Sequence, residues 1–318
     1  MTATYTLLAP AKINFYLEIV GDRPDGFHEL VMLMQSVGLA DRVTLTQTAA
    51  PGLHVLCPAL PDLEASQNLA TKAARLMQTQ FPAVAQTGGL EIQIEKHIPV
   101  AAGLAGGSGN AAAVLVGINL LWDLGLTQPE LQALAAHLGS DIPFSVVGGT
   151  AIATGRGEQL DALPTPAQLW VVLAKYQTLE VSTAWAYQRY RQEFSATYCR
   201  DAEAWRARAE HIHSSGLVAA LRTGDGASLA RHLYNDLEKV VLPAHPQVAT
   251  LRQTLQDTEA LGVLMSGSGP TVFALCESAT QAERVQQALH DTLPAPDLQS
   301  WVAPLASHGI QLWEPLEG

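Results

Sequence analysis

Residues 98–113 read IPVAAGLAGGSGNAAA and include four glycines, at positions 103, 106, 107 and 109. Just before this stretch, residues 90–95 alternate apolar and polar side chains, which predicts a half-buried strand. Just after it, residues 111–124 are rich in alanine and leucine and contain no proline, which predicts a buried helix. The pattern therefore predicts a strand, a glycine-rich turn and a helix.

A glycine-rich turn that leads into a helix directs several unpaired N–H groups, and the positive end of the helix dipole, at one point. This arrangement binds phosphate, although many such turns are only tight connections. No Gly-Lys-Ser/Thr follows the glycines, so the stretch is not a Walker A motif. Residues 107–112 fit the dinucleotide pattern G-x-G-x-x-A, which requires a second strand after the helix. Thr127 and Glu130 instead predict a capping box and a second helix, so we favour a phosphate cradle outside a βαβ unit.

Length and composition limit the classes of function. The 318 residues favour two domains, and 48% apolar with 15% charged residues predicts a sizeable core rather than disorder. A net charge of −12 argues against nucleic acid or an anionic membrane as the partner, which leaves a small molecule. The three cysteines are far apart and predict neither a disulfide framework nor a zinc site. The N-terminus has no signal-peptide pattern and no apolar run is long enough to span a bilayer, so we expect a cytoplasmic protein.

Two polar residues outside the glycine stretch are candidates for chemistry. Lys12 shares one face of a predicted strand with Asn14, in a region that Pro10 is expected to interrupt. A solvated strand face is the simpler interpretation of that pair. Asp141 lies in a predicted turn before a strand expected over residues 145–153, and it is a candidate general base, although turn or capping aspartates are commoner. Spacing alone does not bring Lys12 and Asp141 together.

Several motifs resemble those of the GHMP kinase superfamily, which includes galactokinase, homoserine kinase and mevalonate kinase. PAKIN at residues 10–14 resembles the first motif, the glycine stretch the second, and LMSGSGPTVF at residues 264–273 the third. GSDIP at residues 139–143 matches the segment that supplies the family's aspartate. The resemblance implies that Lys12 and Asp141 are catalytic. Gly109 stands where relatives carry serine or alanine, which leaves Ser108 as the hydroxyl of the loop.

Other segments resemble one branch of this superfamily, which acts on a cytidyl diphosphate sugar alcohol. RPDGFHEL at residues 23–30 is similar to a segment implicated in cytidine recognition, while VSTA at 181–184 and NDLE at 235–238 also match the branch. The resemblance implies an α+β, two-domain GHMP kinase fold with the active site in the cleft between the domains. We predict an ATP-binding domain over residues 1–160 and a substrate-binding domain over residues 161–318.

The implied reaction moves the γ-phosphate of ATP, with Mg²⁺ bridging the phosphates, to the 2-hydroxyl of that alcohol in the non-mevalonate isoprenoid route. The ATP-binding residues implied by the resemblance are Asn68, Lys96, Pro99, Val100, Ala101, Ala102, Gly103, Leu104, Ala105, Gly106, Gly107, Ser108 and Gly109. The substrate-binding residues implied are Asn14, Phe27, His28, Thr183, Gly267 and Ser268. We assign no side chain as a metal ligand, and no oligomeric state is predicted.

Two alternatives to this function stay open. A kinase for homoserine or mevalonate would share the loop, Lys12 and Asp141 but would not need Phe27 and His28. A non-catalytic metabolite sensor on the same fold would not need Lys12 and Asp141 together. ATP consumption that depends on the cytidyl alcohol distinguishes all three.

Overall fold

The computed structural model describes residues 3–61, 63–64, 66–85, 88–166, 168–213 and 215–314. In these ranges the strands are β1 (Thr4–Asp22), β2 (His28–Thr48), β3 (Leu53–Leu56), β4 (Gly89–Glu95), β5 (Thr150–Gly155), β6 (Gln159–Leu163), β7 (Trp170–Tyr176), β8 (Tyr234–Asn235), β9 (Gly262–Met265), β10 (Val272–Cys276), β11 (Leu298–Pro304) and β12 (Gln311–Leu312). The α-helices are α1 (Leu69–Gln80), α2 (Pro82–Ala85), α3 (Gly106–Leu121), α4 (Gln128–Ala136), α5 (Ile142–Val147), α6 (Thr183–Phe194), α7 (Ala202–His213), α8 (Gly216–Thr223), α9 (Gly226–Ala230), α10 (Glu238–Ala244), α11 (Pro246–Gln256) and α12 (Ala279–Thr292). No helix in the described part of the chain has the length and apolar character needed to cross a membrane.

A long antiparallel hairpin of β1 and β2 organises the larger, eight-stranded sheet. Its pairing extends from Thr4 opposite Thr46 to Asp22 opposite His28. β4 and β3 extend the sheet beside one part of β2, while β5 and β6 pair along another part. The hairpin turn at residues 23–27 carries Phe27. Lys12 and the Phe27–His28 pair therefore lie on the same β1–β2 hairpin.

β1 continues through Pro10, and the predicted interruption there is wrong. The pairing register shifts between Pro10 and Ala11 and again between Asn14 and Tyr16. Pro10 is opposite Ala40 and Ala11 is opposite Val37, so residues 38 and 39 of β2 lie outside the ladder. A proline, which cannot donate a ladder hydrogen bond, is tolerated at such an irregularity. The strand face that carries Lys12 and Asn14 is not solvated, because the glycine loop covers it. Lys12 is 6% exposed and Asn14 is 0% exposed. The Lys12 backbone N–H donates to the Leu104 carbonyl at 3.1 Å.

The buried helix α3 begins five residues earlier than predicted, so the later glycines form its first turn. Ala111, Leu115 and Ile118 are fully buried in a core shared with β1 and β2. Two predicted caps are confirmed nearby: Asn68 Oδ1 accepts from the N–H of Ala70 at 2.9 Å, and Thr127 forms a capping box with Glu130. These caps fix where α1 and α4 begin beside α3.

Residues 142–147 form α5, where we predicted the start of a strand, and only β5 carries the strand pattern. Pro143 is compatible with a helix here because it lies in the first turn, where its missing N–H has no intrahelical partner. Gly148, at φ 65°, ends the helix. The result places Asp141 at the N-terminal end of α5 rather than in a turn before a strand.

The smaller sheet has the order β11-β7-β10-β9, and all its pairs are antiparallel. α11 and α12 contribute Val248, Leu251 and Val285 to the core on one side of it. Apolar side chains of the two sheets fill the same cores: the rings of Phe15 on β1 and Phe273 on β10 lie 6.1 Å apart. The α+β prediction with two structural halves is confirmed.

The predicted boundary between residues 160 and 161 falls inside β6. This strand pairs with β5 of the larger sheet, whereas the smaller sheet begins with β7 at Trp170. We therefore propose that the N-terminal domain extends to Leu163. β8 and β12 return to pair with β1, so the second half of the chain also completes the first sheet.

Candidate active site

A cavity of about 960 Å³ lies where the two halves of the chain meet. Among the predicted site residues, it is lined by Lys12, Phe27, His28, Asn68, Lys96, Pro99, Val100, Ala101, Ala102, Gly103, Leu104, Ala105, Gly106, Gly107, Ser108, Asp141, Thr183, Gly267 and Ser268. The prediction of a site between the domains is confirmed by this arrangement. Asn14 and Gly109 do not line the cavity, and their positions are described below.

Lys12 and Asp141 are brought together, although 129 residues separate them in sequence: Lys12 Nζ lies 3.8 Å from Asp141 Oδ2. Lys12 is nearly buried, and the Asp141 side chain is 35% exposed and accessible from the cavity. Asn14 is fully buried; its Oδ1 accepts from Lys12 Nζ at 2.8 Å and its Nδ2 faces Met32 Sδ at 3.5 Å. Asn14 thus holds the lysine from behind, and its contact with the substrate stays a prediction. The pair presents an ammonium and a carboxylate at one point of the cavity wall.

The glycine loop holds three alternate residues in the left-handed region: Ala101 at φ 49°, Gly103 at φ 73° and Ala105 at φ 55°. For the two alanines this conformation costs roughly 1–3 kcal/mol each, and such strain concentrates at ligand sites. Ala105 is the N-cap residue of α3 and provides no side-chain hydrogen bond, so the N–H groups of the first turn have no side-chain cap. The loop therefore presents the positive end of α3 to the cavity.

Space above the first turn of α3 fits a phosphate. An added Cβ at Gly107 would meet only Leu69 Cδ1, at 3.7 Å, so this face of the turn opens into the cavity. Gly109 faces the other way: its Cβ would lie 3.5 Å from Ala9 Cβ, and its N–H donates to the Ala105 carbonyl at 2.9 Å. Gly109 therefore packs beneath the cradle with its N–H already used, and its implied contact with ATP stays a prediction.

The glycine loop also contacts the third motif of the second half. Ser266 Oγ donates to the Gly103 carbonyl at 3.1 Å, and an added Cβ at Gly103 would lie 2.4 Å from the Ser266 carbonyl oxygen. Ser268 Oγ and Thr183 Oγ1 share a hydrogen bond of 2.8 Å at the cavity wall. Asn235, in the NDLE segment, donates to the Gly267 carbonyl at 2.8 Å. Contact between the glycine loop and the third motif thus closes the cavity at this end.

Lys96 and Asn68 line the far side of the cradle, next to an apolar recess formed by Leu60, Leu69 and Ile94. Lys96 is an ion-pair partner of the fully buried Asp41, and its Nζ lies 3.2 Å from Asn110 Oδ1. Asn68 Oδ1 is already occupied as the cap of α1. This end combines an apolar surface with a nearly buried ammonium, which suits a nucleotide base and its sugar.

Aromatic side chains line the opposite end of the cavity. Phe27 is 50% exposed, and the Arg156 guanidinium lies 5.0 Å from its ring centroid. The His28 ring is buried beside Tyr187, with centroids 5.1 Å apart and an interplanar angle of 33°. His28 Nε2 lies 3.5 Å from Asp22 Oδ1 without a hydrogen bond among the described residues. Burial lowers the pKa of His28, and the nearby Arg191 lowers it further, so the ring is neutral at pH 7.

Among the described residues, the cavity is lined by four cationic side chains, Lys12, Lys96, Arg156 and Arg191, and by one carboxylate, Asp141. Each cation also has a carboxylate partner: Lys12 pairs with Asp141, Lys96 with Asp41, Arg156 with Glu158 and Arg191 with Asp22. The cavity wall therefore presents ammonium and guanidinium N–H groups that neighbouring carboxylates hold in place.

No group of three or more His, Cys, Asp or Glu side chains among the described residues is arranged to hold a metal ion. Mg²⁺ keeps several waters and binds through one or two carboxylates together with substrate phosphates, so it needs no protein cage. Asp141, with Ser108 in the first turn of α3, lines the same cavity and has the oxygen chemistry that this ion prefers. The residues present fit such an ion.

Sequence reasoning missed several cavity residues. Tyr187 and Arg191 lie four and eight residues after Thr183, which was predicted, and share its face of α6, so helical spacing from Thr183 was a signal that could have found them. Arg156 follows β5 and had no recognisable pattern. Asp41 also had none, because its role depends on partners from β4 and α3.

Comparisons with known proteins agree with the geometry. Residues 68–149 match the GHMP kinases N terminal domain, and residues 217–295 match the GHMP kinases C terminal family. The 4-diphosphocytidyl-2-C-methyl-D-erythritol kinase of Gloeothece citriformis is 57% identical over 311 residues, which cover 97% of this chain and 98% of that protein.

Solved structures give the same result. A crystal structure of 4-(cytidine 5'-diphospho)-2C-methyl-D-erythritol kinase has a TM-score of 0.73 at 32% identity and covers 96% of this chain and 99% of that one. A homoserine kinase from Cytophaga hutchinsonii, at 21% identity and TM-score 0.75 over 98% of this chain and 97% of its own, shares the fold alone. From the cavity, its motifs and these full-length similarities, the chain belongs to the 4-diphosphocytidyl-2-C-methyl-D-erythritol kinase family of the GHMP kinases.

Proposed function

We propose that this chain transfers the γ-phosphate of ATP to the 2-hydroxyl of 4-diphosphocytidyl-2-C-methyl-D-erythritol, a step of the non-mevalonate route to isoprenoid precursors. One observation carries the proposal. A single cavity combines the N-terminal end of α3, the Lys12–Asp141 pair and an aromatic, cationic far end. These are the parts needed to hold a triphosphate, activate an alcohol and bind a charged nucleoside diphosphate.

At the centre of the cavity, Asp141 accepts the proton of the attacking hydroxyl as the general base. Lys12, 3.8 Å from Asp141, stabilises negative charge on the transferred group, while Asn14 fixes its ammonium in place. Asp141 and Ser108 are the residues that would contact Mg²⁺. When bound, the ion neutralises charge on the phosphates.

ATP occupies the glycine-loop side, with its phosphates against the N–H groups of the first turn of α3 and its base towards Lys96 and Asn68. The cradle contributes backbone donors, which act without side-chain reorganisation. The contact between Ser266 and Gly103 keeps the loop of the second half in register with this cradle.

The cytidyl substrate occupies the other side. Phe27 and Tyr187 provide aromatic faces for the base, on which stacking contributes roughly 1–3 kcal/mol. The neutral His28 lines the same side; its Nε2 is buried without a hydrogen-bond partner among the described residues and would reach the edge of the base once the ring turns towards the cavity. Arg156 and Arg191 provide positive charge for the diphosphate.

The test measures ADP formation with ATP, Mg²⁺ and each candidate acceptor, and identifies the product by mass spectrometry. We expect turnover with the cytidyl alcohol and very little with homoserine, mevalonate or the uridyl analogue. Turnover with homoserine or mevalonate instead would support the alternative kinases, and ligand binding without any turnover would support a sensor.

Recognition of the base is tested separately with Phe27→Ala and His28→Ala. Each should raise the KM for the cytidyl alcohol about ten-fold or more and leave the KM for ATP nearly unchanged. Leu312→Ala is the matched control, because Leu312 is 48% exposed on β12 and does not line the cavity. An unchanged KM for the cytidyl alcohol in both variants would remove the assigned base site.

A further inference from the structure

Asp41 is a fully buried acid on β2 that does not itself line the cavity. Its Oδ1 accepts from the backbone N–H groups of His97 and Ile98, at 2.7 and 2.8 Å. Its Oδ2 accepts from Asn110 Nδ2 at 2.8 Å and from Lys96 Nζ. A buried charge is costly unless it is paired and hydrogen-bonded, and here each oxygen has two donors. The donors come from the end of β4, from the start of the glycine loop and from α3.

Lys96 connects this buried acid to the cavity. Its side chain is only 7% exposed, yet it lines the cavity wall. An added Cβ at Gly106 would lie 2.9 Å from Lys96 Nζ, so the ammonium sits beside the first residue of α3. An ammonium and a helix N-terminus are both positive and repel each other. The carboxylate of Asp41 offsets that repulsion and leaves the ammonium held in one direction.

We propose that Asp41 is a positioning residue for the nucleotide, an inference that rests on the ATP site proposed above. It acts through Lys96. The ion pair with Asp41 fixes the direction in which the Lys96 ammonium donates, at the end of the cavity proposed to hold the base of ATP. Through Asn110 and the N–H groups of His97 and Ile98, it also holds the entry of the glycine loop against α3. The cytidyl end of the cavity does not depend on Asp41.

Asp41→Asn tests the inference with little change in shape. The asparagine oxygen still accepts from His97 and Ile98, whereas its NH₂ group faces the donors of Lys96 and Asn110. A hydrogen bond to a charged group is lost, so the dissociation constant for ADP, measured by calorimetry, should rise roughly ten-fold or more. The KM for ATP should rise similarly, with the KM for the cytidyl alcohol and the kcat at saturating ATP within about two-fold of wild type.

Glu95→Gln is the matched control. Glu95 precedes Lys96, pairs with Arg42 at 3.1 Å on the same two strands and does not line the cavity. It should leave ADP affinity unchanged. An equal loss in Glu95→Gln and Asp41→Asn would mean that any change of charge between these strands weakens the nucleotide site, and would overturn the inference.

A double-mutant cycle separates positioning from a purely structural role. If Asp41 acts through Lys96, Asp41→Asn should cost little further ADP affinity when added to Lys96→Met. If the losses of ADP affinity in the two single variants multiply in the double variant, Asp41 contributes to the fold alone. If Asp41→Asn does not fold, Asn110→Ala removes a partner of both residues and should raise the KM for ATP; an unchanged KM would refute the inference. Wild-type protein that binds no ADP would refute the ATP site itself, whereas equal binding by wild type and Asp41→Asn would refute only the role of Asp41.

Discussion

Two alanine substitutions in the first turn of α3 should differ in their effect on the KM for ATP, although they are chemically identical and two residues apart. Gly107→Ala places a methyl group in the open face of the cradle, where only Leu69 lies within 4 Å. Gly109→Ala places the same group against Ala9 and the Pro10 carbonyl oxygen, both at an ordinary contact distance of 3.5 Å. Each change also removes a helical glycine, which should stabilise the fold by about 0.5–1 kcal/mol.

The expected size of the functional effect follows from the contacts that the methyl group blocks. If it keeps a phosphate oxygen from one N–H group of the first turn, the lost bond to a charged group costs about 1.5–3 kcal/mol. Since about 1.4 kcal/mol corresponds to ten-fold in affinity, Gly107→Ala should raise the KM for ATP roughly 10- to 100-fold. Gly109→Ala should leave it within about two-fold.

The assay measures initial rates over a range of ATP concentrations at saturating cytidyl alcohol, with thermal unfolding recorded for each variant. Both variants should unfold at the wild-type temperature or about 1–3 °C above it. The contrast in KM should therefore appear without any loss of stability. Equal KM values for ATP in the two variants would show that the first turn of α3 does not hold the phosphates.

Three further predictions concern single residues. Asp141→Asn should lower kcat by roughly 10²–10⁴-fold while ADP still binds. Near-wild-type turnover would mean that Asp141 is a structural residue at the start of α5 and not the general base. Burial lowers the pKa of His28 below its ordinary value of 6.5. Affinity for the cytidyl alcohol should therefore be constant above pH 6.5 and weaken as the pH falls through the lowered pKa. The stability of the fold should decline over the same range, as the pH falls from 6.5 to the lowered pKa. A KM for the cytidyl alcohol that does not change on acidification would contradict the neutral ring. Cys276 is fully buried and burial raises its pKa to about 12, so a thiol reagent should spare it. Burial also raises the pKa of Cys57, but this thiol lines the cavity, so it should react slowly and be protected by ADP, as mass spectrometry of the labelled peptides would show.

The features that could be predicted from the sequence are those that depend on residues close together in the chain. The caps at Asn68 and at Thr127 with Glu130 could be predicted because each involves residues only two or three apart. The strand before the glycine stretch and the buried helix after it followed from the period of their apolar residues. The order of the separate motifs also implied the superfamily fold, which the structure and the comparisons confirm.

The sequence was less informative where the same residues suit two structures. Val146 and Val147 are β-branched and favour a strand, yet they complete α5, which has Pro143 in its first turn and ends at Gly148. The glycines at 106, 107 and 109 predicted a turn, since glycine is unfavourable in a helix. They form the first turn of α3 here; a Cβ at Gly106 would lie 2.9 Å from Lys96 Nζ, whereas one at Gly109 would make an ordinary contact with Ala9.

The tertiary structure alone decided which groups meet. A solvated face was the simpler interpretation of Lys12 and Asn14, but the glycine loop buries that face and α5 brings Asp141 to within 3.8 Å of the lysine. Asp41 gained its donors from β4 and α3 in the same way. Burial and charge pairing depend on distant segments packing against each other, whereas periodicity and capping depend only on the local chain. The sequence therefore determined the elements and their motifs, and folding determined the site that they form.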